Sequence, residues 1–176
     1  MHGRTTTPVE PAFEPGPRYD FRRVRHDDLP MLRRWLATPA ARQWWGDPRR
    51  EADLIRADFD EPAMTMLIVA LDGRPFAFAQ HYAVHAWPQP QFAHLPRGAR
   101  AIDTFIGNPA LIGRGHGTAY LRLLAEHLRR GGVPIVAIDP DIRNTRARRA
   151  YARAGFRRER LVGVAKRPAV VMLFDD

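Results

Sequence analysis

Ile112-Gly113-Arg114-Gly115-His116-Gly117-Thr118 decides the reading of this chain. The stretch follows an apolar strand candidate, 101–106, and opens a helical pattern in which Leu121, Leu124, Ala125 and Leu128 are spaced for burial. Between a strand and a helix, each glycine removes a Cβ and lets an anion approach the main chain. Successive N–H groups and the helix N-terminus then form a cradle for phosphate. Arg114 could add a charge-assisted contact. A flexible turn that needs glycine only for its backbone fits the same spacing. Gly-x-x-x-x-Gly-Lys is absent and the pattern is not a clean dinucleotide fingerprint, so these residues alone leave the nucleotide undefined.

Downstream, the helix runs to about Arg130 and closes at Gly131-Gly132. A short strand over 133–139, a helix over 144–154 ended by Gly155, and strands over 156–164 and 169–174 complete the chain. Upstream, a strand spans 19–24, and Asp27 and Asp28 precede Pro30, a favoured first-turn residue. Leu29, Leu32, Trp35 and Leu36 then share one helical face. A polar stretch holding Trp44-Trp45-Gly46-Asp47-Pro48 leads to a short second helix over 51–59. Met64–Leu71 and Arg74–Val84 read as antiparallel strands around the Asp72-Gly73 turn. Residues 85–100, with Pro88, Pro90, Pro96 and Gly98, read as a long irregular loop of the kind that often carries function. Residues 1–18, rich in proline, read as an extended arm, and 19–176 as a single domain. The expected order is β-α-α-β-β-β-α-β-α-β-β, without internal repeats.

The 176 residues, 45% of them hydrophobic, suit one domain with an ordinary core. With no cysteine in the chain, disulfides, thiolate metal sites and a cysteine nucleophile are excluded. His81, His85, His94 and His116 show no zinc-like spacing, so no metal is expected. The opening residues lack an apolar core segment, and no stretch approaches ~18 unbroken apolar residues. The expectation is a soluble cytoplasmic protein with no membrane partner. The net charge of +9 comes from basic residues that are all arginine except Lys166. They are scattered along the chain, which reads as solvation rather than a nucleic-acid surface, though a polyanionic ligand would benefit.

Two segments taken together carry a resemblance. Ile112-Gly113-Arg114-Gly115-His116-Gly117 is similar to the Q/R-x-x-G-x-G/A coenzyme A loop of the GCN5-related N-acetyltransferases (GNAT), with Ile112 where a polar residue is usual. Further on, Asn144-x-x-Ala147-x-x-x-Tyr151-x-x-x-Gly155-Phe156 resembles their second signature. Within that superfamily the chain is most similar to the aminoglycoside 6'-N-acetyltransferase branch. That likeness rests on Trp35-Leu36, Trp44-Trp45-Gly46, Ala79-Gln80-x-Tyr82, Ile102-Asp103 and Asp139-Pro140, and runs from about residue 20 to 174. One departure is that residues 85–100 contain no Asp or Glu, where the drug-modifying enzymes usually place acids.

The resemblance implies an α/β (α+β) fold: a central mixed, mostly antiparallel sheet flanked by helices and splayed between the fourth and fifth strands. It implies an acetyl-CoA-dependent N-acetyltransferase in which the amine attacks the thioester directly. Asp103 would help deprotonate the amine and Tyr151 would protonate the leaving sulfur. The cofactor would be held by Ile112, Gly113, Arg114, Gly115, His116, Gly117, Thr118 and Asn144, with Phe105 and Ile106 supplying main-chain N–H groups to the oxyanion. Trp44, Trp45, Gln80, Tyr82, Trp87 and Asp139 would bind the acceptor, a small-molecule amine. A siderophore-type hydroxylysine, a polyamine or a protein amine is an alternative acceptor, and a coenzyme A-binding sensor the alternative outside catalysis. The enzyme would act as a monomer or homodimer.

Overall fold

A computed structural model describes residues 18–164 and 167–175. The arm expected over 1–18 lies outside the described residues except for Arg18. Strand β1 (Tyr19–Arg23) turns into helix α1 (Leu29–Leu36) around Asp28. The Asp28 carboxylate accepts the Arg25 N–H at 2.8 Å and both Arg22 guanidinium nitrogens at 2.7 Å. That guanidinium holds the Asp28 carboxyl below the usual carboxylate range.

Two short helices follow, α2 (Pro39–Trp45) and α3 (Pro48–Ala57), where the sequence reading expected one over 51–59 after a polar connector. Capping makes the difference. Thr38 and Asp47 each precede a proline at the first helical position. Thr38 Oγ1 accepts the Ala41 N–H at 3.4 Å, and Asp47 Oδ1 accepts those of Arg49 and Arg50 at 3.1 and 2.9 Å. From these three helices Leu32, Leu36, Ala41, Ala52 and Ile55 bury against Met66, Ile68, Phe78 and Phe105 on one face of the sheet.

Strands β2 (Met64–Leu71) and β3 (Arg74–Ala83) form the expected hairpin, followed by β4 (Arg100–Ile106) and α4 (His116–Arg130). Next come β5 (Val136–Ile138), α5 (Thr145–Ala154), β6 (Phe156–Val164) and β7 (Arg167–Phe174). The seven strands form one sheet in the order β1-β2-β3-β4-β5-β7-β6. Every neighbouring pair is antiparallel except β4 and β5. On the face opposite α1–α3, Tyr120, Leu121, Leu124 and Leu128 of α4 pack on Leu67, Val69, Ala77, Ala79 and Ile102. Among the described residues no helix is long and apolar enough to cross a membrane.

β5 is shorter than the expected 133–139, and this opens the sheet. β4 meets it only at Arg100↔Val136 and Ala101↔Ala137, yet stays paired with β3 as far as Ile106↔Ala77. Beyond β5 the chain follows β7 instead: Val170 N–H donates to Pro140 O at 3.0 Å and Ile142 N–H to Pro168 O at 2.9 Å. The splay thus lies between the fourth and fifth strands, as expected. The loop between β3 and β4 is compact rather than irregular. Phe92, Leu95 and Ala99 are buried with Tyr82, Val84, Ala101, Ala137 and Val171, and Pro90–Phe92 makes a turn of 3-10 helix.

β4 ends where Gly107 and Asn108 both donate to Phe76 O, at 2.7 and 3.0 Å. The Trp35 indole lies on Gly107, so a Cβ there would fall inside the ring's van der Waals envelope. Gly107→Ala is expected to lose about 1–3 kcal/mol of stability in denaturant titrations, and less of it when Trp35 is also shortened to Leu. An additive double mutant would show that the ring is not what excludes the methyl group.

Candidate active site

The wedge between β4 and β5 forms a cleft of about 440 Å³. Successive side chains of a strand face opposite ways. Asp103 and Phe105 therefore share the face of α1–α3, while Thr104 and Ile106 face α4. Asp103 is registered opposite Gln80, whose Nε2 donates to Asp103 Oδ2 at 2.9 Å; the Tyr82 hydroxyl donates to the same carboxylate. Asp139, one residue past β5, accepts from Gln91 Nε2 at 3.3 Å. Burial pushes the Asp103 carboxyl above the usual carboxylate range, against the pull of its two hydrogen bonds. Asp139 is pushed up to about 7, by burial first and then by the charge of Asp103.

The wedge edge of β4 presents main-chain donors. Arg100 N–H crosses to Ile135 O at 3.0 Å, the Ala101↔Ala137 bridge takes up the Ile102 N–H, and alternation sends the N–H groups of Thr104 and Ile106 to that same side beyond the last β5 partner. Gly107 N–H points to β3, and so does that of Phe105. Of the two main-chain donors that the resemblance implied, Ile106 is on the open edge. Phe105 gives the cleft its side chain instead.

At the α4 end, Ile112, Gly113, Gly115, Gly117 and Thr118 line the cleft. Gly115 takes a φ of +86°, which side chains disfavour, and the space where a Cβ would sit on Gly113 or Gly115 is open. Thr118 Oγ1 donates to Ala150 O at 3.2 Å, fastening α4 to α5. Arg114 and His116 are not in the wall. His116 turns back to β1, its Nδ1 meeting the Tyr19 hydroxyl at 2.8 Å and its ring standing edge-on to Phe76. Asn144 lines the cleft while capping α5, its Oδ1 accepting the Ala147 N–H at 3.1 Å. Tyr151 lines it from the same helix, and burial pushes its hydroxyl up, so it keeps its proton at neutral pH. Behind it Tyr120, pushed up to about 12, meets Thr104 Oγ1 at 2.7 Å, and Thr104 donates to Phe78 O at 2.6 Å.

Trp44, Trp45, Gln80 and Asp139 all line the cleft, Trp45 standing edge-on to Phe105 at 4.8 Å. Tyr82 is buried and reaches the cleft through Asp103, and Trp87, edge-on to Tyr82, lines a separate shallow recess with Pro88 and Gln89. Glu51, Asp141, Arg146 and Arg153 also line the cleft and were not anticipated. Glu51 could have been found as the carboxylate in the first turn of the helix after the tryptophan pair. Gln91 carries no signal in the sequence. Among the described residues no cluster of His, Asp or Glu is suited to a metal ion.

A splayed α/β sheet with a glycine turn under the wedge defines an acyl-transfer type of fold. Residues 25–164 match the family model described as an acetyltransferase (GNAT) domain, and the chain belongs to that family. It is 32% identical to an aminoglycoside N(6')-acetyltransferase type 1 of Klebsiella pneumoniae over 167 residues, 87% of this chain and 81% of the relative. A kanamycin resistance protein of Rhizobium radiobacter is 39% identical over 77 residues, 43% of this chain and 71% of the relative. An aminoglycoside acetyltransferase solved with coenzyme A and kanamycin superposes with a TM-score of 0.80 at 29% identity, over 89% of this chain and 94% of that one.

Since the Asp103 charge is one cause of the high Asp139 value, Asp103→Asn should let Asp139 ionise more readily and titrate below about 7. Carboxyl carbon-13 NMR across pH 4–9 reads this directly. An unchanged Asp139 midpoint would show that the two acids do not feel each other.

Proposed function

We propose that the protein transfers the acetyl group of acetyl coenzyme A to the 6'-amine of an aminoglycoside by direct attack, without an acyl-enzyme. Its family membership and the aminoglycoside relatives support the reaction and the acceptor class. The observation that carries the reading is one wedge with an open glycine cradle at one end and two hydrogen-bonded carboxyls at the other.

The cradle fits a diphosphate, because its amides open a helix of 15 residues and no side chain fills the space over Gly113 and Gly115. Main-chain groups of Gly113, Gly115, Gly117 and Thr118 would hold the diphosphate, with Arg146 and Arg153 of α5 adding positive charge. Asn144 would hold the pantetheine arm through its side-chain amide NH2. The thioester, when bound, supplies an activated carbonyl. Ile106 N–H, on the open edge of β4, would donate to the oxyanion that develops there.

The acceptor arrives as an ammonium and must lose a proton before it attacks. Asp103 takes this proton, directly or through water; burial raises its proton affinity and makes it a stronger base near neutral pH. Asp139 and Glu51 give the cleft the negative charge that a cationic sugar requires, and Trp44 and Trp45 give it flat faces. Recognition of the cation therefore rests on the cleft acids, since residues 85–100 contain none. Tyr151 donates its proton to the departing sulfur.

A thiol-release assay with kanamycin, tobramycin, polyamines, a hydroxylysine siderophore and peptides tests this. Turnover is expected with the aminoglycosides. Asp103→Asn and Tyr151→Phe should each lower kcat about 10- to 1000-fold while acetyl-CoA affinity by calorimetry stays near wild type. Turnover confined to polyamines or peptides would replace the acceptor assigned above, and none with any amine would remove the reaction.

A further inference from the structure

The loop between β3 and β4 brings no acid to the cleft, yet it touches Asp139 directly and Asp103 through Tyr82. Trp87 stands edge-on to Tyr82 with ring centroids 5.9 Å apart, and Tyr82 donates to Asp103. At the other end of the loop, Gln91 spans 48 residues of sequence to donate to Asp139 Oδ2. Gln91 is not held there by chance of a mobile loop. Its neighbour Phe92 is fully buried, Pro90 restricts the backbone before it, and Leu95 and Ala99 sit in the same apolar cluster.

The choice of an amide matters chemically. A lysine or arginine in this position would neutralise Asp139 and compete with a cationic acceptor. A glutamate would add a third carboxyl to a pair that already shares one wedge. An amide donates at every pH and adds no charge.

We propose that Gln91 is a positioning residue of the acceptor site: its neutral amide fixes the Asp139 carboxylate and leaves its negative charge for an incoming ammonium group. The ammonium comes from the acetyl-transfer reading above, on which this inference rests. Asp139 interacts with Asp103 from β4, Tyr82 from β3 and Tyr151 from α5, and Arg146 and Asp141 line the same cleft. Among these, the Gln91 hydrogen bond favours the ionised form and the Asp103 charge opposes it.

Gln91→Met keeps the length and bulk of the side chain and removes the donor. In the ligand-free protein, carboxyl carbon-13 NMR, assigned with Asp139→Asn, should show Asp139 titrating at higher pH than in wild type. With an aminoglycoside as acceptor, kcat/KM should fall about 3- to 10-fold at pH 6.5 and recover by pH 8.5, with KM for acetyl-CoA unchanged. Gln91→Glu is the second variant. Its carboxyl donates only while protonated, so its kcat/KM relative to wild type should fall as pH rises, the opposite slope. An Asp139 titration identical in wild type and Gln91→Met overturns the inference, as does a loss in both variants that is the same at every pH. If wild type acetylates no amine, the proposed reaction fails, and the ligand-free titration by itself still decides what Gln91 does.

Discussion

Two strands keep different partners, and the rest of the site follows. β4 stays with β3 to its last residue, while the chain after β5 follows β7 through the Pro140 and Ile142 hydrogen bonds. Neither can follow the other, so their shared ladder stops after Ala101↔Ala137. A buried main-chain N–H without an acceptor is costly. The donors of Thr104 and Ile106 that a longer β5 would have satisfied therefore face an opening where a ligand oxygen can satisfy one of them. The opening is held from both sides: Tyr120 and Thr104 pin β4 to α4 and β3, and Thr118 pins α4 to α5.

The same opening sets the electrostatics. Asp103 comes from β4 and Asp139 from the residue after β5, the two strands that part, so both carboxyls line one cleft. Burial raises both carboxyls, and the charge of Asp103 raises Asp139 further, which disfavours the ligand-free state with two charges. In the proposed reaction an ammonium between them would offset this cost. The amides of Gln80 and Gln91 and the hydroxyl of Tyr82 orient these acids without cancelling their charge. The +9 charge of the whole chain says little about this local field.

Much of this was legible before any coordinates. The glycine turn and the Asp72-Gly73 hairpin depend on local backbone chemistry, which sequence states directly, whereas the Asn144–Tyr151 spacing took its meaning from the family resemblance. α2 was missed because seven residues with Arg42 and Gln43 show no apolar period, although Thr38-Pro39 was a readable start signal. Compaction of the β3–β4 loop was illegible for a different reason: Phe92 and Leu95 bury against β5 and β7, which are distant in sequence. His116 shows the limit of motif reading. It sits inside the glycine pattern, but the first turn of α4 also packs on β1, and the Tyr19 hydroxyl takes its ring away from the wedge. The direction of the Phe105 N–H was likewise a matter of strand phase, which only the β3 register settles.

The sheet also acts as a partition. Gly113–Thr118 and α5 lie on the α4 side, whereas Asp103, Gln80, the tryptophan pair and the β3–β4 loop lie on the side of α1–α3. A ligand on one face and a ligand on the other meet only where β4 and β5 have separated. Direct transfer between two bound molecules requires such a window, because each must be held by many contacts while only the reacting atoms approach one another. A fully paired sheet would be more stable and would keep the two ligands apart. The lost ladder between β4 and β5 is therefore the stability that the architecture gives up, and the short β5, ended by Asp139-Pro140, limits that loss to the few residues where the two ligands must touch.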